Sequence, residues 1–105
     1  MRPQTIATTG TSISSLVVFD WHCSPFEVGI QAVVSGTATY SIQYTNDDVV
    51  LGNPASATFS NDANFTNSTT SGINRNLIPV CAARINQTAG NGTVTVTFRQ
   101  AGLGV

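Results

Sequence analysis

Residues 39–45, TYSIQYT, alternate strictly between two kinds of side chain. Tyr40, Ile42 and Tyr44 fall on one side of an extended chain, and Thr39, Ser41, Gln43 and Thr45 on the other. A period of two with aromatic and β-branched residues predicts a strand with one buried face. Asn46-Asp47-Asp48 ends it with short polar side chains that bond to nearby backbone in turns. Residues 26–34, FEVGIQAVV, alternate in the same way, with Phe26, Val28, Ile30, Ala32 and Val34 on one side. Only Ser35-Gly36 and the first residues of the 37–45 stretch separate the two runs. Two amphipathic strands with a short, glycine-containing link predict a β-hairpin, taken as the centre of the fold.

The last third of the chain repeats the pattern. In residues 93–99, TVTVTFR, Val94, Val96 and Phe98 face one way and Thr93, Thr95, Thr97 and Arg99 the other. Residues 77–86, LIPVCAARIN, read as a strand with a proline near its start. Val80, Ala82 and Arg84 are expected on one face and Cys81, Ala83 and Ile85 on the other. Between these runs lies Thr88-Ala89-Gly90-Asn91-Gly92, whose Asn-Gly pair is a strong hairpin signal. Residues 14–20, SSLVVFD, are too short an apolar run for a helix and predict a buried strand. Trp21-His22-Cys23-Ser24-Pro25 then reads as a turn.

Residues 1–12 lack an amphipathic period and predict an N-terminal arm or a short edge strand. Residues 46–76 are the least regular. Ala57-Thr58-Phe59 suits a short strand. The Asn-, Ser- and Thr-rich stretch from 61 to 76 predicts a long loop over one end of the sheets, with room for a short strand near 65–70 and with Phe65 and Ile73 as its large apolar residues. Residues 100–105 read as a C-terminal tail. Five firm strands, one to three weaker ones and no helical period predict an all-β, single-domain antiparallel β-sandwich over residues 1–105. Periodicity leaves immunoglobulin-like and jelly-roll topologies both open.

Composition narrows the partners. Charged residues make up 9% of the 105 residues, with no lysine and a formal net charge of −1. Typical globular chains carry about a quarter charged residues. Nucleic acid binding needs a basic patch against phosphates, and anionic membranes attract polybasic segments, so neither partner is expected. So little charge gives weak colloidal protection to a free monomer, which favours a subunit packed against neighbours in a homo-oligomer or a symmetric multi-copy assembly. The N-terminal residues lack the apolar core of a secretory signal. Synthesis in the reducing cytoplasm is therefore expected, with Cys23 and Cys81 as buried thiols and no disulfide between them.

The chemical inventory is thin. His22 is the sole histidine and Glu27 the sole glutamate. His22 and Cys23 are adjacent, so along a strand or turn their side chains point apart, and no nucleophile–base–orienter set is expected. Cys23, His22 and Cys81 lack a fourth zinc ligand and paired spacing. Asp47 and Asp48 lack the alternating carboxylates of a calcium loop. No cofactor, metal or catalytic residue is expected. Arg84 lies within the apolar run VCAARI, and a cation in such a setting needs a counter-charge or a route to water. A structural ion pair of Arg84 with Asp47 or Asp48 is the expectation. Tyr40, Tyr44, Phe59 and Phe65 could form a sugar-stacking platform, although such residues more commonly fill cores. Ile6, Phe65, Ile73, Leu103 and Val105 are left over from the alternating strands and are expected to contact partners.

Three segments, TYSIQYTNDDV at 39–49, ATFSNDANFTNSTT at 57–70 and PVCAARINQTAGNGTVTVTFRQAG at 79–102, add to this. Their order and spacing resemble small virion structural proteins of tailed bacteriophages, of the capsid cement or decoration kind. Phe59 departs from that pattern, standing where tryptophan is expected. The resemblance implies a non-enzymatic virion protein, made in the host cytoplasm, that binds and stabilises the shell by contact with the major capsid protein or other virion proteins. A neck, tail or fibre-attachment component is the alternative within the particle. A displayed glycan- or receptor-binding module is the alternative outside the structural class.

Overall fold

The computed structural model describes residues 4–19, 27–47, 57–77 and 80–101. Among them the regular structure is all strand: β1 (Gln4–Thr9), β2 (Ser12–Ile13), β3 (Val17–Val18), β4 (Glu27–Ser35), β5 (Thr39–Thr45), β6 (Ser60–Asn61), β7 (Gly72–Asn76), β8 (Ala82–Ala89) and β9 (Thr93–Ala101). They form two antiparallel sheets packed as a β-sandwich. One has the order β1-β9-β4-β7; the other runs β2-β8-β5-β6, with β3 also pairing along β8.

Both expected hairpins are corrected here. β4 pairs with β7 and β9, whereas β5 pairs with β8 and β6, so the link at 36–38 carries the chain from one sheet to the other. The Gly90-Asn91-Gly92 link does the same between β8 and β9. A hairpin and an inter-sheet arch satisfy the same alternation. In a hairpin the two apolar faces lie side by side. In an arch they face each other across the core.

The links β1–β2, β4–β5, β6–β7 and β8–β9 all cross between sheets. The registers put them at one end: Thr93 lies opposite both Thr9 and Ser35, while in the other sheet Gln87 lies opposite Ser12 and Ala89 opposite Thr39. With β2 and β3 taken as one interrupted strand, the order 1-9-4-7 facing 2-8-5-6 is that of an eight-strand, double-sheet jelly roll. An immunoglobulin-like sandwich instead has seven strands in the orders A-B-E-D and C-F-G, a different arrangement from this one.

The core fills as the alternation predicts. Val28, Ile30 and Ala32 of β4 and Val94, Val96 and Phe98 of β9 meet Tyr40 and Ile42 of β5 and Ala83 and Ile85 of β8. Phe19 sets its ring edge against Phe98, with centroids 5.6 Å apart, a favoured aromatic geometry. The 14–20 run is more broken than expected. Its strand is reduced to Val17–Val18, although Val17 and Phe19 are buried. Val80 and Cys81 depart from the simple alternation before β8: Val80 enters the main core, and Cys81, a free thiol, packs with Ala82, Leu16 and Ala57 in a second cluster. From Ala82 onward alternation resumes, with Ala83 and Ile85 in the main core.

The arches interlock through backbone. Gly92 N–H donates to Thr37 O at 2.8 Å, and Gly92 O accepts from Gly10 N–H at 3.2 Å, so the 90–92 arch joins both neighbours. Gln87, fully buried, fills the space beneath. Its Nε2 donates to Gly92 O at 3.0 Å, and its Oε1 accepts from Thr8 Oγ1 at 2.7 Å. Gly90 holds φ +90°, and a Cβ there would overlap the backbone of Thr37 and Ala38. A Cβ on Gly92 would sit 2.5 Å from Ser35 O. Gly10 also has positive φ, at +69°, but has open space around it. Gly10→Ala is therefore expected to cost about 1–2 kcal/mol, the penalty of the left-handed conformation alone. Gly90→Ala adds overlap with fixed backbone, another 1–3 kcal/mol or so. Urea unfolding of the two variants should rank them in that order; equal destabilisation would show that the arches do not constrain one another.

Candidate functional site

Among the described residues, no group of three or more His, Cys, Asp or Glu side chains is placed to hold a metal ion. His22, Cys23 and Asp48 lie outside the described residues, as do Leu103 and Val105. The chemistry on view is that of surfaces, and the two sheets present different ones.

The outer face of the β2-β8-β5-β6 sheet is covered over the middle of β5 and β8, while Ile13 and Val18 on its β2/β3 edge are exposed. Arg84 projects from it, and its guanidinium lies 3.6 Å from the centroid of the Phe59 ring. Arg84 Nε donates to Gln43 Oε1 at 2.9 Å, and Gln43 Nε2 donates to Asn61 Oδ1 at 3.0 Å. Among the described residues Arg84 is held by an amide and a π face and makes no ion pair with Asp47, while Asp48, the other expected partner, lies outside them. Asp47 is engaged elsewhere, its Oδ2 accepting from Thr58 N–H at 2.6 Å. Burial pulls the Arg84 pKa down, yet a guanidinium stays charged in proteins. Arginine fits this setting because its planar, weakly hydrated group stacks on aromatic rings. The ion pair among the described residues is Arg75–Glu27, at 3.2 Å and largely solvent-exposed, a kind that contributes little to stability. Phe59 itself stands in coil preceding β6, where a short strand over 57–59 was expected.

The stretch 61–76, expected as a long loop with a short strand near 65–70, is tied to β5 at several points along residues 62–70, including an isolated bridge between Tyr40 and Ser68. Asp62 N–H donates to Ile42 O, Ile42 N–H to Phe65 O, and Tyr40 and Ser68 exchange two backbone bonds of 2.9 and 2.7 Å. Ser41 Oγ accepts from Asn67 N–H at 3.0 Å, where Asn67 takes a left-handed turn with φ 51°. Phe65 is therefore drawn into the core against Tyr40, with centroids 6.3 Å apart. That corrects its assignment to a partner interface. It also removes two of the four aromatics from the sugar platform, since Tyr40 and Phe65 are both buried. Residues 72–76, expected within the same loop, form β7.

Asp62 anchors this crossing. It is buried, its Oδ2 accepts from Tyr44 Oη at 2.6 Å, and its Oδ1 accepts from Asn64 N–H at 2.7 Å. Sequence reasoning did not single it out. The signal available was an acidic residue followed by Asn64 and Thr66, the pattern of a side chain that bonds to its own turn. Tyr44, Thr45, Asn46, Asp47, Thr58, Ser60, Asn76 and Val80 line a cleft of about 340 Å³ beside this anchor, at the end of the sandwich away from the arches.

The outer face of the β1-β9-β4-β7 sheet is bare. Thr5, Ala7 and Thr9 of β1 lie beside Thr97, Thr95 and Thr93 of β9, then Gly29, Gln31 and Val33 of β4, then Ile73 and Arg75 of β7. The hydroxyls of Thr5 and Thr97, and of Thr9 and Thr93, meet at 3.0 Å. Val33 is 48% and Ile73 78% exposed. Glu27, Arg75 and Arg99 group towards the end away from the arches, which leaves the rest of the face without charge. Ile73 thus stands exposed on this face, whereas Ile6 is half-buried against the core.

The fold and these faces define the class as a double-sheet β-sandwich with one partly covered and one uncovered outer face. Comparison with protein-family models, curated proteins and solved structures finds no match to this chain.

Burial raises the Tyr40 phenol above its ordinary value, and burial followed by the Asp62 hydrogen bond and charge raises that of Tyr44 further. An unfolded tyrosine ionises near pH 10, while these two keep their protons when folded. Their contribution to stability is full below about pH 10 and is lost as pH rises beyond it. Tyr44→Phe should cost about 1.5–3 kcal/mol at neutral pH, because the buried carboxylate loses a donor. It should also make the alkaline fall shallower. Urea unfolding of both proteins at neutral and alkaline pH measures the two effects; a variant with unchanged stability would remove Asp62 as the anchor.

Proposed function

We propose that the chain is a non-enzymatic virion structural subunit of a tailed bacteriophage, a capsid cement or decoration protein that binds and stabilises the shell. The observation that carries this reading is the bare outer face of the β1-β9-β4-β7 sheet, where exposed Val33 and Ile73 sit among threonines, an alanine and a glycine. Short side chains on a sheet make a broad contact surface, and methyl groups with hydroxyls lose little on burial against a complementary protein. The mechanism is additive burial. Each copy covers a seam between shell subunits, and symmetry repeats a modest interface many times.

Two further observations support it. The jelly roll serves in viral capsid domains, though it also serves lectins and enzymes, so the fold weighs little alone. The segment resemblance at 39–49, 57–70 and 79–102 points to the same class, and much of those segments maps to the core and the crossings that hold the sandwich together. The partner in this reading is the major capsid protein or another virion protein, and the location is the assembled particle.

Ile73→Asp tests the surface. Ile73 is exposed, so the variant should fold and melt as the parent does. In a competition for shells lacking the protein it should lose about tenfold in occupancy, as a charge buried without a partner would require. Occupancy equal to the parent would exclude this face as the shell contact. Quantitative mass spectrometry of particles gives copy number: hundreds of copies fit a cement protein, and about a dozen fit a neck or tail ring.

A further inference from the structure

The two sheets end in strands whose outer edges lack backbone partners among the described residues, and three of these edges are protected. β6 is two residues long. The edge formed by β2 and β3 is broken between them, where Ser14 Oγ takes the Ile85 N–H that a continuous strand would have bonded with a carbonyl. β7 carries Arg75, whose own N–H is capped by Asn74 Oδ1 at 2.8 Å. Short length, irregularity and charge are the devices by which sheets prevent edge-to-edge pairing.

β1 has none of them. Its six residues, QTIATT, form an unbroken ladder with β9 from Gln4 opposite Phe98 to Thr9 opposite Thr93. The strand contains no charge, proline, glycine or bulge. β1 also closes one end of the sheet order, so its second edge offers a regular row of backbone donors and acceptors.

We infer that a second copy of this chain pairs with that edge, β1 to β1, antiparallel about a two-fold axis at Ala7. This joins two four-stranded sheets into one of eight strands. The register follows from self-complementarity. With Ala7 opposite its own counterpart, Thr5 faces Thr9 of the other copy and Thr9 faces Thr5. That reproduces on the outer edge the threonine pairs β1 already makes with β9, whose hydroxyls meet at 3.0 Å at both Thr5–Thr97 and Thr9–Thr93. Threonine pairs of this kind stabilise neighbouring strands. On the core side, half-buried Ile6 faces Thr8 of the other copy and gains cover from its methyl group. A two-fold interface needs a self-complementary patch, and an uncharged strand with threonines placed symmetrically about an alanine is one. A net charge of −1 per chain opposes association little. The pairing stands independently of the virion assignment, since it is read from the strand edge alone.

Sedimentation velocity on the full chain, up to about 1 mM because a single strand pair is a small interface, should show a reversible monomer–dimer equilibrium. Ala7→Lys places two ammonium groups face to face at the axis, while its side chain projects from the outer face and leaves the core untouched. It should weaken the dimer by about tenfold or more with unchanged circular dichroism and melting temperature. Ala7→Cys under mild oxidation should give a disulfide-linked dimer bridged at the substituted position, where the parent gives none. Amide hydrogen exchange on the unmodified protein supplies a readout that no substitution can disturb: protection across residues 4–9 should rise with protein concentration. A chain that stays monomeric over this range, a dimer unaffected by Ala7→Lys, or exchange in β1 independent of concentration would each overturn the pairing.

Discussion

The sandwich depends on the close stacking of its arches at one end. Gly92 binds the backbone of Gly10 on one side and Thr37 on the other, and Gln87 ties the same arch to Thr8 from beneath. The Thr8–Gln87 bond among them is buried, where an unpaired polar group is costly. The stacking fixes the distance between sheets at that end, and with it which apolar side chains meet across the core. It also explains why glycine stands at both 90 and 92: each carries backbone of the neighbouring arch where a Cβ would lie.

From that end the strands diverge into two surfaces of different character. On one, the chain folds back, and Arg84, Gln43, Asn61 and Phe59 form a row of contacts that uses the available hydrogen-bonding and π groups. The other remains open, with threonines bonded mainly to each other and two large aliphatic side chains in solvent. An arginine on a ring and two amides satisfy a surface locally. The division of labour between the faces follows from where the chain spends its polar side chains.

The Asp62 crossing couples the two. It runs along β5 from Ile42 towards the arch end, carries Phe65 into the core beside Tyr40, and then delivers the chain to β7 on the open face. Its Asn-, Ser- and Thr-rich composition resembles that of a mobile loop, because short polar side chains serve both. Asp62 accepts from Tyr44 and from its own turn, Ser41 accepts from Asn67, and Tyr40 donates to the carbonyl of Thr70. Together these supply the order that apolar packing would otherwise supply.

Alternation along residues 26–34, 39–45 and 93–99 was enough to determine the strands, the residues they bury and the all-β sandwich, because a period of two assigns side chains to faces irrespective of neighbours. The sparse charge likewise marked a chain without a basic surface. Tertiary structure alone decided which strands pair. Ser35-Gly36 and Asn91-Gly92 read as hairpin links, yet both are arches, since either arrangement buries the same alternating residues and only the fit between distant backbones selects one. The same holds for side chains whose partners come from far along the chain. Arg84 met Gln43 and Phe59, and Phe65 turned inward, because their surroundings are assembled from segments that periodicity cannot align.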